Sequence, residues 1–206
     1  MTRILTSALL IGLIALASCG QSNSSASATD ASTQPTTWPT DPRYETATFA
    51  AGCFWGSQAM FERVPGVIHT RVGYSGGHTQ NPTYEDVCTD LTGHAESVEI
   101  QFDPKVVSYQ QLLTVFFENH DPTTMNRQGP DSGTQYRSVI FYHSEEQKAQ
   151  AEAEIKKRTD SGDYVGPIVT QVVQAGPFYP AEDYHQFYFD KQNVQWTCHL
   201  GNGKKQ

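Results

Sequence analysis

Cysteine is scarce in this chain, with four thiols in 206 residues, too few for a disulfide framework to replace a hydrophobic core. Positive charge is short as well: 14 Lys and Arg stand against 22 Asp and Glu, a formal net charge of -8. No Lys/Arg-rich run supplies a local basic patch, which excludes the phosphate backbone of a nucleic acid as partner. The chain has no internal repeat, which excludes a solenoid. It also lacks an apolar run long enough to span a bilayer comfortably, the best being Leu9 to Leu16. What is present is 37% hydrophobic content, enough for one domain with a proper core plus something small.

The small part comes first. Arg3 gives a positive start, the Leu9 to Leu16 run follows, and Leu16-Ala17-Ser18-Cys19 closes it with small residues, the pattern of an export signal. Those last four residues resemble a bacterial lipobox, in which the cysteine is lipidated and becomes the new N-terminus. Cys19 is therefore expected to be a lipid anchor; the competing reading is a soluble secreted protein whose cleavage site happens to precede a cysteine. Gly20, where an acidic residue would retain a lipoprotein in the inner membrane, implies an outer-membrane anchor facing the periplasm. Gln21 to Pro39 is Ser, Ala, Thr, Gln and Pro with almost no charge and no large apolar residue before Trp38, so it cannot bury enough surface to fold. As a flexible tether of about 20 residues it would span roughly 25 Å. The expected organisation is residues 1–19 as signal peptide, 20–43 as tether and 44–206 as the folded domain.

Within that domain, Tyr44 to Ala50 reads as a strand and Cys53 to Val64 as a helix stopped by Pro65-Gly66. Cys53 thus falls at a strand-to-helix turn. Val67 to Tyr74 predicts a second strand ending in Ser75-Gly76-Gly77, and Thr83 to Cys88 a short helix-like stretch. His94 to Phe102 alternates, with Val98, Ile100 and Phe102 on one face and Ser97, Glu99 and Gln101 on the other, which predicts a strand with one face in the core. Ser108 with Gln111 opens a helix whose apolar stripe is Tyr109, Leu112, Leu113, Phe116 and Phe117, ended by Asp121-Pro122. After a polar loop, Ser138 to Tyr142 reads as a strand, and Ser144 with Gln147 caps a charged helix running to about Arg158. Ile168 to Val173 is expected to be strand and Ala181 to Gln192 helix. Such alternation of strands and helices predicts an α+β or α/β two-layer fold, helices packed on a mixed sheet, as a ferredoxin-like variant with a mobile C-terminal tail.

With Cys19 assigned to the membrane, the domain keeps Cys53, Cys88 and Cys198. An odd number in an exported domain leaves at least one thiol outside any structural disulfide, which points to redox or nucleophilic chemistry. Cys53 has the address of a reactive thiol, since the free N–H groups and dipole at a helix N-terminus stabilise a thiolate. Burial between Phe54 and Trp55 acts in the opposite direction, so position alone leaves its state open. Glu96 shares a strand face with Val98, Ile100 and Phe102 and is aimed at the core side. A buried unpaired carboxylate is costly, so Glu96 is expected to hold a proton near neutrality, as a general acid must; the competing reading places it before the strand, solvated. Cys198 lies near the C-terminus, with Gly201 and Gly203 beside it to keep the tail mobile. Cys88, one helical turn from Tyr84, reads as a buried inert thiol.

Gly52-Cys53-Phe54-Trp55-Gly56, Gly73-Tyr74-Ser75-Gly76-Gly77, Asn81-Pro82-Thr83-Tyr84, Gly93-His94-Ala95-Glu96, Phe117-Glu118-Asn119-His120-Asp121-Pro122 and Asp131-Ser132-Gly133-Thr134-Gln135-Tyr136-Arg137-Ser138 together resemble the A-type peptide methionine sulfoxide reductases. The likeness covers nearly all of Tyr44 to Gln192. It implies that Cys53 attacks the sulfoxide sulfur, that Glu96 gives a proton to the oxygen, and that Tyr84 and Tyr136 hydrogen-bond that oxygen. Phe54 and Trp55 would cradle the sulfoxide methyl, with Asp131 and His185 as further substrate-binding candidates. The products would be methionine, from the S epimer, and a sulfenic acid on Cys53. Cys198 would then form a disulfide with Cys53, reduced by an external thioredoxin-like dithiol. The likeness implies no metal, no bound cofactor, a monomer, and partners limited to oxidised proteins and that reductant.

The sequence departs from the family in one place. Many relatives carry a glycine-rich segment before the resolving cysteine and sometimes a further cysteine after it, whereas here Asn193-Val194-Gln195-Trp196-Thr197-Cys198 is followed by none. If Cys198 does not reach, Cys88 or an external thiol must regenerate the enzyme. The rival readings are a thiol peroxidase or other thiol-disulfide oxidoreductase, disfavoured because no Cys-x-x-Cys is present, and a structural surface lipoprotein, which would not need the Cys53, Glu96, Tyr84 and Tyr136 set. A zinc site from Cys88, His94, Cys198 and His199 lacks paired ligand spacing.

Overall fold

Phe49 marks the centre of the core. In the computed structural model, which describes residues 38–39, 41–194 and 202–205, its ring stacks on Phe61, Tyr109 and Phe116 at centroid distances of 5.0, 6.0 and 5.3 Å. Cys19 and Cys198 lie outside the described residues. Phe49 belongs to β1 (Glu45–Ala51), which leads through Gly52 and Cys53 into α1 (Phe54–Glu62) and then β2 (Val67–Ser75). A single turn, α2 (Tyr84–Val87), precedes β3 (Ala95–Phe102) and α3 (Tyr109–Glu118). The hairpin β4 (Arg127–Gln128) and β5 (Asp131–Ser132) and a 3-10 turn at Thr134–Tyr136 lead to β6 (Ser138–Tyr142). Then come α4 (Glu145–Ser161), β7 (Gln171–Gln174), β8 (Phe178–Pro180) and α5 (Tyr188–Lys191).

The main sheet runs β7-β6-β1-β3-β2-β8, with β6 and β7 parallel and every other neighbouring pair antiparallel. Its four inner strands, taken with α1 and α3, form the split β-α-β-β-α-β unit of the expected ferredoxin-like α+β fold. The helix face holds Ala47, Phe49, Phe61, Val98, Ile100, Phe102, Leu112, Leu113, Phe116 and Phe117 in one cluster, with Ala151 of α4. The apolar stripe expected on α3 is therefore the stripe that is buried. Its capping box also forms, Ser108 and Gln111 each accepting the other's backbone N–H.

Four expectations need correction. All eight residues of β3 are buried, Ser97, Glu99 and Gln101 included, because β3 is an inner strand whose second face is covered too. There Glu99 pairs with Arg71 directly across the sheet, and the guanidinium lies 4.9 Å from the Phe178 ring. The strand expected from Ile168 starts only at Gln171, and the polar loop contains the β4–β5 hairpin. The helix expected over Ala181 to Gln192 is a single turn at its end. Ahead of that turn the chain makes turns, His185 N–H donating to the Glu182 carbonyl, and ties itself to its neighbours: the Ala181 N–H reaches the Val72 carbonyl, Gln186 brackets Val72 N–H and C=O, and Phe187 N–H reaches Gln58 Oε1. The tail at residues 202–205 is held as well. Lys204 bridges to Tyr164 and its Nζ lies 2.7 Å from both Glu118 carboxylate oxygens, while Val165 N–H donates to the Gly203 carbonyl.

Candidate active site

The site starts from a glycine. Gly52 has φ +87, and a Cβ there would meet the Gln128 side chain, so only glycine lets β1 turn this sharply into α1. The turn makes Cys53 the N-cap of α1. Cys53 keeps a partial opening to solvent, yet burial pushes its thiol up to about 12, the Glu96 carboxylate adding to the effect; the backbone N–H groups of Trp55 and Gly56 oppose it by hydrogen-bonding the sulfur. The helix N-terminus is thus outweighed by burial, and the resting nucleophile is a thiol.

Glu96 approaches from β3, where it pairs with Tyr74 of β2 across the sheet. It is 1% exposed, and its Oε2 accepts the Phe54 N–H at 3.0 Å. Burial pushes the carboxyl up to about 8, the Phe54 N–H partly opposing and the Asp131 charge reinforcing. At neutral pH the site therefore holds both a thiol proton and a carboxylic acid proton. The acid is on β3 and not solvated, which settles the alternative left open by the alternation.

Aromatic rings form the walls. Phe54 is buried against Tyr74 and His185, with centroids 5.9 and 5.0 Å away. Trp55 donates its indole N–H to His185 Nδ1 at 3.0 Å and stacks flat on Tyr188 at 3.6 Å. The Tyr84 ring packs 4.5 Å from His185, its helix turn set by a capping box of Thr83 and Asp86. Burial pushes the Tyr84 and Tyr136 phenols upward, followed at Tyr84 by its hydrogen bond to Cys88 and at Tyr136 by the charge of Glu96, so both remain O–H donors. Tyr136, on the 3-10 turn, lies within electrostatic reach of Glu96, Asp131, Cys53 and Cys88. The structure thus gathers Cys53, Glu96, Tyr84, Tyr136, Phe54, Trp55, Asp131 and His185 in one place. Cys198 lies outside the described residues.

Cys88 is not the buried thiol that was expected: it is exposed, because α2 ends after one turn at the buried Val87 and leaves Cys88 as its C-cap. Its sulfur is in hydrogen-bonding range of the Tyr84 phenol. His94 is occupied elsewhere, accepting the Gly77 N–H at Nδ1 and bonding the Thr79 carbonyl through Nε2. Among the described residues no group of three His, Cys, Asp or Glu could hold a metal ion. Two site residues escape sequence reasoning altogether. Tyr188 could have been suspected from the run of rings between Tyr184 and Phe189. Glu182 could not, since it reads as a surface acid; it accepts Tyr74 O–H at Oε2 and Tyr84 N–H at Oε1, each at 2.9 Å.

Comparison with known proteins agrees with this geometry. The sequence profile of the family "Peptide methionine sulfoxide reductase" matches residues 45–206. The peptide methionine sulfoxide reductase MsrA of Methanothermobacter thermautotrophicus is 60% identical over 158 residues, 77% of this chain and 93% of the relative. That of Acidobacterium capsulatum is 58% identical over 154 residues, 75% of this chain and 98% of the relative. Among solved structures, reduced Mxr1 of Saccharomyces cerevisiae superposes with TM-score 0.73 at 34% identity, covering 82% of this chain and 98% of that one. Mxr1 in complex with Trx2 gives TM-score 0.53 at 26% identity, covering 81% and 96%.

Proposed function

From membership of the peptide methionine sulfoxide reductase family, to which this chain belongs, we propose which of its residues carry each step of the reduction of methionine sulfoxide to methionine. The observation that carries the proposal is the protonated, buried Glu96, one hydrogen bond from the residue after the thiol. A sulfoxide sulfur is a poor electrophile until charge on its oxygen is neutralised. Glu96 delivers a proton to that oxygen while the Tyr84 and Tyr136 phenols donate to it, and Cys53 attacks the sulfur. The Cys53 proton replaces the one Glu96 gave. The protonated oxygen passes from the methionine sulfur to the Cys53 sulfur as the sulfur–sulfur bond of the adduct breaks, methionine leaves, and thiol plus sulfoxide balance to sulfenic acid plus thioether.

Phe54 and Trp55 form the apolar seat for the sulfoxide methyl. Asp131, beside Glu96, orders substrate or water, and His185 holds the Trp55 indole. This one-handed arrangement of acid, phenols and methyl seat selects the S epimer. Cys198 then attacks the Cys53 sulfenic acid, water leaves, and a thioredoxin-like dithiol reduces the disulfide. The chain on either side of Cys198 supports this assignment. Tyr188 stacks on Trp55, and Gly203 abuts Asp121, whose N–H bonds the Gln128 side chain that faces Gly52. Residues 1–19 are read as a signal peptide, Cys19 as the lipid anchor and 20–43 as the tether, placing a monomeric 44–206 domain at an outer membrane, facing the periplasm and its oxidised proteins.

The test is methionine formed from blocked methionine sulfoxide of each epimer, in dithiothreitol or thioredoxin, by wild type, Cys53→Ser and Cys198→Ser. Loss of the S epimer alone, abolished in Cys53→Ser, is expected. Cys198→Ser should work with dithiothreitol and fail with thioredoxin; equal turnover in both would remove Cys198 from the scheme.

A further inference from the structure

Glu182 ties the strand under the pocket to the helix turn that carries Tyr84. It sits where the chain leaves β8, and both of its carboxylate oxygens are engaged. Oε2 accepts the Tyr74 O–H and Oε1 the Tyr84 N–H, each at 2.9 Å. The Tyr84 contact fixes the start of α2, and with it the direction in which the Tyr84 phenol enters the pocket. The carboxylate also faces His185. Because Trp55 donates its indole N–H to His185 Nδ1, that ring carries its own proton on Nε2. The buried Nε2 has no hydrogen-bond partner, and the nearest charge to it is Glu182 Oε2 at 4.0 Å. One carboxylate thereby fixes the Tyr84 backbone directly and stands 4.0 Å from the ring that holds the Trp55 indole.

We propose that Glu182 is the positioning residue of this pocket, holding the Tyr84 phenol and the Trp55 indole where the sulfoxide oxygen and methyl must lie. It touches neither substrate nor Cys53; it acts through the residues that do. The proposal rests on the roles given above to Cys53, Tyr84 and Trp55. A displacement of about 1 Å in such groups can cost about 100-fold in rate, so its loss should appear in kcat more than in folding.

The experiment compares Glu182→Ala, Glu182→Gln and Glu182→Asp in the purified full chain, with dithiothreitol and the blocked S-sulfoxide. Rates are divided by the number of active sites, titrated as methionine formed in one turnover without reductant. Gln preserves length and the acceptor for Tyr84 N–H; Asp preserves charge but is one methylene too short to span Tyr74 and Tyr84. Per-site kcat should fall about 10- to 100-fold in Glu182→Ala and Glu182→Asp, and stay within about threefold of wild type in Glu182→Gln. If Glu182→Ala does not fold, the Gln and Asp pair decides alone. Unchanged per-site kcat in Asp, or a Gln variant as slow as Asp, overturns the proposal, since the first makes the role structural and the second makes it one of charge. Failure of wild type to form methionine, or activity surviving Cys53→Ser, would instead overturn the underlying reading of the site.

Discussion

At the scale of single residues, the site works by burying groups that water would ionise. Glu96→Gln keeps the shape and the acceptor for Phe54 N–H but has no proton to give. Its turnover of the S-sulfoxide should fall by about 10²- to 10⁴-fold. The wild-type rate should decline as pH rises through about 8, where Glu96 loses its proton, and a pH profile of the variant should lack that limb. Stability moves with the same proton. The folded-state value lies above the unfolded one of about 4.3, so the stabilisation is complete below that value and is lost as pH rises through about 8. Glu96→Gln should therefore gain in urea midpoint relative to wild type between pH 5 and pH 9. A gap that does not change with pH would show that Glu96 is not the group titrating there.

At the scale of elements, local signals succeed where a segment's bonds are its own. The α3 capping box was legible because Ser108 and Gln111 satisfy each other's N–H within one turn; Ser108→Ala should cost about 1 kcal/mol in urea unfolding, without altering turnover. Glu96 was legible for a similar reason, since strand alternation alone places it on the face of Val98 and Ile100. Segments whose bonds go elsewhere were not legible. Ala181 to Phe187 has helix-like composition, but its Ala181 and Phe187 amides and the Gln186 side chain are spent on β2 and α1. Glu182 lies in that segment and takes its partners from residues 108 and 98 positions away in sequence, which no local pattern can reveal. Cys88 was misread because burial was inferred from a helix that lasts one turn.

At the scale of the whole molecule, the N-terminal reading has a simple consequence. Cells fed labelled palmitate should label this protein, and Cys19→Ala should abolish the label and release the chain from membranes; label that persists in the variant would place the lipid elsewhere. The folded domain itself inverts a familiar relation between structure and reactivity. In an unfolded chain Cys53 has an ordinary thiol, near 9, whereas burial in the native site pushes it up to about 12, leaving about a thousandfold less thiolate at neutral pH. β1 pairs with β3 from Glu45 and Phe102 inward, so this silencing arrives only when strands distant in the chain have met. A chain not yet folded, or one partly denatured, therefore presents its most valuable sulfur to electrophiles and oxidants unguarded, and the alkylation rate of Cys53 becomes a clock for how long it stays that way.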